Sequence, residues 1–393
     1  MAKRAKYKRR QEVRASRAVD ALPALSTLTE VPGFDELHAS ERQKEAFAEA
    51  CERSVAAGAD PGELVLGCVV RLDRGFPAVV SEDALFRAEF ATRLTKGSFS
   101  RVAVGDWVCA RRPHGHQMGL IEEILPRESD VARWRGGNRG ERQTLAANVD
   151  LVIVCQQMSE QEVDFARVAR SAVIVRDCGA RLAVVLTKAD RAGADGVARD
   201  IDALHEVLGS DLPLVVSMAG ADDSVDVREI EEVAQEHGAA FGPQGVRALV
   251  PAGTLAIVLG ESGAGKSTLL NALLGYGALE TGAVRASDDK GRHTTVARRM
   301  VSLPGAGVVV DEPGLRTLPL VGHERGLAKV FADIAQQAQT CRFRDCTHTH
   351  EPGCAVLEHA EAEGYAGRRL DAYLQLARQM RESRQTLDPD VVI

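Results

Sequence analysis

The sequence predicts an α/β fold in which a mainly parallel sheet is preceded by a small OB-type β-barrel and followed by a helical module. Three observations carry this expectation. Apolar runs of strand length alternate with helical stretches between 149 and 322, the pattern of a sheet covered by helices on both faces. Short valine-rich segments separated by Gly, Asp and Pro turns fill 63 to 127, as in an all-β unit. Three cysteines crowd into 341 to 354, ahead of the leucine-spaced helix YAGRRLDAYLQLARQMRE. At 393 residues the chain exceeds what one core usually serves, and 45% hydrophobic with 27% charged residues excludes a chain disordered throughout.

Residues 1–62 read as a basic tail and a helix-prone extension. Lys3, Arg4, Lys6, Lys8, Arg9, Arg10, Arg14 and Arg17 face a single acid, Glu12, with almost nothing apolar to bury. Such a tail either solubilises or seeks phosphates in a salt-sensitive way, and composition does not choose between the two. The net charge of -7 requires any nucleic-acid contact to come from local patches of this kind. The apolar stretch after the tail is broken by Asp20 and Pro23, so an export signal is not expected. No window reaches the roughly 18 apolar residues of a membrane span, and a cytoplasmic chain is expected. The mixed-charge stretch 21–62 suggests helix and no chemistry.

Residues 63–127 contain the runs LVLGCVVRL, PAVVSED, LFRAEFAT, SRVAVGDWVCARR and GLIEEILP. Five short strands fit an OB-type barrel, which often binds oligonucleotides, and fit an SH3-like barrel nearly as well. Phe76, Phe86, Phe90, Phe99 and Trp107 are the candidates for stacking on bases, although core positions would explain most of them. Residues 128–148 are Arg- and Gly-rich without apolar periodicity, and read as an exposed basic linker.

The region 149–322 carries the nucleotide chemistry at the ends of its strands. Gly260-Glu261-Ser262-Gly263-Ala264-Gly265-Lys266-Ser267 follows the strand TLAIVL and opens the helix that continues through Thr268, which is the required context of a P-loop. Its glycines let backbone amides surround a β-phosphate, Lys266 supplies charge, and Ser267 offers a hydroxyl to Mg²⁺. Thr187-Lys188-Ala189-Asp190 follows the strand RLAVV, and Ser217 follows LPLVV. A Thr-Lys-x-Asp loop places a carboxylate where it accepts two hydrogen bonds from guanine, whereas adenine would leave it unpaired. Alone on a surface turn this string would mean little; at a strand end ahead of a P-loop it identifies Asp190 as the guanine reader.

Asp311-Glu312-Pro313-Gly314 closes the strand GVVV and reads as a DxxG loop, with Asp311 reaching Mg²⁺ through water and the Gly314 amide facing the γ-phosphate. Between the two phosphate loops, Gly291-Arg292-His293-Thr294-Thr295 has the polar character of a switch. Thr295, or failing that Thr294, is expected to place its hydroxyl on Mg²⁺. The base reader precedes the P-loop here, so the expected fold is a circularly permuted P-loop GTPase domain. Leu315 follows the DxxG glycine, and an aliphatic side chain cannot orient an attacking water.

Residues 323–393 form the last unit. Cys341, Cys346, Cys354 and either His348 or His350 make a three-thiolate, one-imidazole set, which suits a closed structural Zn²⁺ site with no vacancy for a catalytic water. Arg342 and Arg344 flank it and could touch RNA. Cys51, Cys68, Cys109, Cys155 and Cys178 stand singly and read as free thiols in a reducing compartment.

The loop order, the strings GESGAGKS, TKAD and DEPG, and the flanking modules resemble the ribosome small-subunit-dependent GTPase A family, also called RsgA or YjeQ, over about residues 63 to 380. The resemblance implies a helical zinc-binding domain with His348 as fourth ligand, GTP hydrolysis to GDP with Mg²⁺, one structural zinc, and stimulation by the small ribosomal subunit and its rRNA. It points to His293 as the residue positioning water, beside Lys266 and Thr295; a solvated switch histidine is the plainer reading. A monomer with no membrane partner is expected. Thr187 stands where many GTPases have Asn, and Glu312 where Thr is common. The rival class is an RNA-binding module whose nucleotide only gates it, and partner-stimulated turnover separates the two.

Overall fold

The computed structural model describes residues 30–73, 76–95, 102–116, 118–135, 141–218, 226–261, 263–274, 298–311, 320, 322–362, 364–365 and 367–385. The basic tail, Phe99, Ser262, the switch residues His293, Thr294 and Thr295, and Glu312, Gly314 and Leu315 lie outside them.

Five strands, β1 (Leu64–Asp73), β2 (Phe76–Ser81), β3 (Leu85–Phe90), β4 (Trp107–Arg111) and β5 (Gly119–Ile124), form the N-terminal barrel. Their order is β1-β2-β3-β5-β4, and β4 closes back on β1. The β3–β5 pair is parallel and the other barrel pairs are antiparallel, a closed five-stranded arrangement of the OB type. Alternate residues point inward, so Val69, Val79, Phe86, Ala88, Val108, Ala110 and Ile121 fill the interior. Phe86 and Trp107 are therefore core residues, with Trp107 edge-on to Phe34 at 5.6 Å, and neither is exposed for stacking on bases.

The stretch read as an exposed linker is instead largely a hairpin, β6 (Asp130–Arg135) against β7 (Glu141–Ala147). Its arginines and glycines hid a short apolar stretch at the base of the hairpin: Val131, Leu145, Ala146 and Ala147 are buried. Asn148 ties the joint together at a φ of 55°, a conformation its short polar side chain tolerates. Its side chain accepts from Gln43 and the Glu128 amide and donates to Gly105 O.

The main sheet has the order β11-β10-β9-β8-β12-β14-β13, built from β8 (Leu151–Gln157), β9 (Arg181–Thr187), β10 (Leu214–Ser217), β11 (Ala240–Phe241), β12 (Leu255–Gly260), β13 (Arg298–Ser302) and β14 (Val308–Asp311). All pairs are parallel except β13–β14. Both faces are buried, so the strands read as continuous apolar runs: Leu151, Ile153 and Cys155 pack with the Lys266–Leu274 helix side, and Val152 and Val154 with the opposite layer. Strand β13 also pairs with β1, joining barrel and sheet into one twelve-stranded surface.

The extension, without assigned chemistry in the sequence, is a strap. Its Glu41–Ala56 helix is capped by Ser40 and Gln43 in a capping box and lies on the barrel, where Arg53 pairs with Glu123 at 2.8 Å. Ahead of it, Glu30 O accepts from Ser302 N, Glu36 binds the Ser302 hydroxyl, and Glu30 pairs with Arg299 at 2.8 Å, so residues 30–36 seat on β13.

The C-terminal module packs on the helices that follow β8 and β9. Gly326 lies so close to the Phe165–Asp177 helix that a Cβ would sit 2.0 Å from Val173 O. His323 bonds Asp177 at 2.8 Å, and Arg368 reaches Glu206 and Glu162 at 2.8 and 2.7 Å. Among the described residues, no helix is long and apolar enough to cross a membrane.

Candidate nucleotide site and metal cluster

Parallel register brings the ends of β9, β10, β12 and β14 to one edge of the sheet. At the end of β12, Gly260 meets β8 so tightly that a Cβ would stand 2.6 Å from Cys155 O, and no other residue fits. Gly263 and Gly265 follow at φ 83° and 82°, the left-handed region that lets the loop turn back tightly. Ala264 is buried and anchors the loop. Lys266 donates from Nζ to Gly260 O at 2.7 Å and Glu261 O at 2.6 Å, which holds its ammonium inside the loop. Ser267 is half-buried and Thr268 exposed in the first turn, while Leu269, Leu270, Leu273 and Leu274 bury the other helix face.

Thr187 stands where many GTPases have asparagine. Its Oγ1 donates to Ala264 O at 2.9 Å, so the Thr-Lys-x-Asp loop is joined to the glycine loop after β12 by one buried hydrogen bond. Lys188 then turns left-handed at φ 59° and starts the short turn Ala189–Arg191 that carries the half-buried Asp190. Burial, with Arg191 nearby, holds the Lys188 ammonium below its usual range, and Nζ donates to Gln157 at 3.1 Å. Ser217 is the register partner of Thr187 on β10 and is buried beside it. Thr187, Lys188, Asp190, Ser217, Gly260, Glu261, Gly263 to Thr268 and Asp311 thus share one edge, drawn from residues 187 to 311.

Sequence reasoning missed two partners of these loops. Arg167, in the first turn of the Phe165–Asp177 helix, pairs with Glu261 of the P-loop at 2.6 Å. Arg299 on β13 lies opposite Asp311 on β14, its Nε 3.8 Å from Asp311 Oδ2. No motif marks either arginine, because each meets its partner only once the sheet has assembled.

The second cluster is local. The donor atoms of Cys341, Cys346, His348 and Cys354 all lie within 4.8 Å of one another. His348 Nδ1 is 3.4 Å from Cys354 Sγ and 3.6 Å from Cys341 Sγ, and those sulfurs are 4.0 Å apart. A tetrahedral zinc with Zn–S bonds of about 2.3 Å spans edges of about 3.8 Å, so the spacing and the soft donors could hold such an ion. Burial and the neighbouring thiols of Cys354 and Cys341 push Cys346 up to about 12, as expected where several thiolates need a cation to coexist. His348 is buried at a φ of 59°, and burial lowers its imidazole, favouring the neutral ligand form. His350 is exposed and bonds Thr349, so it is not in the cluster. Glu351 accepts from Thr347, Thr349 and His350, bonds that hold its carboxyl well below the usual range and brace the loop. Beside it Phe343 is 41% exposed, with the Arg342 guanidinium 5.5 Å from the ring centre.

A family model described as RsgA GTPase matches residues 243–321, the segment from ahead of β12 to beyond β14. A Streptomyces coelicolor protein named small ribosomal subunit biogenesis GTPase RsgA is 39% identical over 316 residues, 80% of each chain. The crystal structure of YjeQ from Thermotoga maritima superposes with a TM-score of 0.56 at 21% identity, covering 81% of this chain and 99% of that one. That of YloQ, described as a circularly permuted GTPase, gives 0.53 at 21% identity, covering 81% and 96%. At those identities the two structures establish the permuted fold.

Proposed function

The chain belongs to the RsgA family of GTPases, and on that premise we propose that it hydrolyses GTP to GDP and phosphate when docked on the small ribosomal subunit, late in that subunit's maturation. It does so as a cytoplasmic monomer. The observation that carries the reading is the Thr187 to Ala264 hydrogen bond, which couples base recognition to phosphate binding in one rigid edge.

The roles follow from position. Asp190 accepts from the two guanine donors that adenine lacks. Amides of residues 260 to 268 and Lys266 surround the β- and γ-phosphates. Ser267 and Asp311, with Thr295 of the switch, would hold Mg²⁺, which supplies charge neutralisation across the phosphates. The residues fit that ion: β12 and β14 are adjacent and parallel, so Ser267, in the first turn of the helix after β12, and Asp311, at the end of β14, lie at the same edge of the sheet. His293 orients the attacking water, a task closed to Leu315. One Zn²⁺, on Cys341, Cys346, His348 and Cys354, is structural, because the four protein donors leave no open position.

Contact with rRNA is supported by the zinc module's surface, where exposed Phe343 sits between Arg342 and Arg344, and by the basic tail. The barrel contributes shape and charge instead of stacking. Phosphate release measured with and without purified small subunits tests the proposal: a large stimulation is expected. Turnover indifferent to the subunit, with RNA binding intact, would leave the nucleotide-gated RNA-binding reading in its place.

A further inference from the structure

We propose that Glu30, in the N-terminal strap, is a positioning residue for Mg²⁺ at Asp311, acting through Arg299. The inference rests on the reading of Asp311 as the carboxylate that meets the ion through water.

The geometry is a row of charges across three strands. Arg71 on β1, Arg299 on β13 and Asp311 on β14 are register partners in turn. Arg71 is committed to Asp73, with Nε 2.8 Å from Oδ2, so it adds a positive charge beside Arg299 without engaging Asp311. Arg299 makes its close ion pair with Glu30, Nη1 to Oε2 at 2.8 Å, and keeps a looser 3.8 Å approach to Asp311. The side chains of Arg299, Glu30 and Asp311 are only 24, 23 and 21% exposed, so solvent screens them weakly.

Glu30 is held there by the strap itself. Its carbonyl accepts from Ser302 N at 3.0 Å, and Glu36 binds the Ser302 hydroxyl, so the strap grips the C-terminal end of β13 twice, while the Glu30 carboxylate reaches Arg299 near the other end. While Glu30 neutralises the guanidinium, Arg299 keeps its looser approach to Asp311 and competes little with a metal-bound water there. Remove that charge and Arg299 closes on Asp311 across the ladder, where a guanidinium pair competes with the ion.

The test is a Mg²⁺ titration of the intact chain, read by the fluorescence of a bound non-hydrolysable GTP analogue, with GDP affinity in the absence of Mg²⁺ measured alongside. Glu30→Gln should raise the Mg²⁺ midpoint about fivefold, the size expected from losing one partly exposed charge pair. Adding Arg299→Gln should return the midpoint to within about twofold of the parent, because no guanidinium is left to compete. Glu36→Gln loosens the same strap without removing the charge at 30 and should leave the midpoint alone. An unmoved midpoint in Glu30→Gln overturns the proposal. So does an equal shift in Glu36→Gln, a double variant that fails to recover, or a fall in Mg²⁺-free GDP affinity, each of which makes the strap merely structural. Asp311→Asn separates this failure from that of the parent reading: if it leaves the response to Mg²⁺ intact, Asp311 is not the metal's carboxylate and both ideas fall.

Discussion

The two chemical sites of this molecule are built in opposite ways. The cysteine–histidine cluster draws its donors from residues 341 to 354, with His348 and Cys354 buried and Cys341 and Cys346 half-buried, and is braced by its own loop through Glu351. The nucleotide edge draws on residues from 187 to 311, brought together by the register of parallel strands, and stays open to a ligand. A local site can fold around its ion and serve stability. A site assembled from distant strand ends can sense its ligand, because displacing one end is felt by the others through shared hydrogen bonds.

Substitutions at each site break that contrast with effects of different size. The largest concerns Asp190. Its replacement by Asn should cut the preference for guanine over adenine nucleotides by a factor on the order of 10⁴, since an amide no longer accepts both guanine donors. Xanthine nucleotides, which carry a carbonyl where guanine has an amine, should gain at the same time. Competition binding of GDP, XDP and ADP reads this out, and a preserved guanine preference would remove Asp190 from its role.

Lys266→Ala comes next, with stimulated GTP turnover expected to fall at least about a hundredfold, because a charge aimed at the transferring phosphate is lost. Single-turnover hydrolysis measures it. The metal cluster should remain intact in that variant, as the contrast between the sites demands.

The reciprocal test is Cys346→Ser. Elemental analysis should show about one zinc per parent chain and much less in the variant, with loss of structure confined to the C-terminal module. Chelation should act in the same direction. GDP affinity should change by less than about twofold, comparable to independent sites elsewhere. A collapse of nucleotide binding would show that the module's packing on the Phe165–Asp177 helix makes the two sites one unit.

The smallest effect tests the join within the nucleotide edge. Thr187→Val keeps the shape and removes the hydroxyl that binds Ala264 O, which leaves a buried carbonyl short of a donor and costs about 1 kcal/mol, or about fivefold in GDP affinity. Thr187→Asn should recover most of it. If calorimetry finds both variants equal to the parent, the two loops are aligned by the strands alone.

The motifs were legible because each lies within a few residues at the end of one strand or inside one loop. Gly260 ends β12 with Glu261 and Gly263 to Thr268 after it, the Thr-Lys-x-Asp turn follows β9, and the four donors of the cysteine cluster lie together. The hairpin β6–β7 was not legible, since its few apolar residues sit at its base and the arginines and glycines between them carry no strand pattern. The stacking candidates in the barrel were also indistinct, because aromatic residues look alike in sequence whether they face the interior, as Phe86 does, or solvent, as Phe343 does.

What the sequence by itself determined is the chemistry each loop can offer and the permuted order in which the loops arrive: glycines, a lysine and hydroxyls for phosphate, a carboxylate for the base, thiols for a metal. Only the tertiary structure decided who stands beside whom. Thr187 meets Ala264 across 77 residues, Arg167 meets Glu261 across 94, and Glu36 meets Ser302 across 266. Periodicity reports which face of an element is buried, whereas these contacts depend on sheet register and on how two faces close over one core. Neither quantity is written in any short stretch of chain.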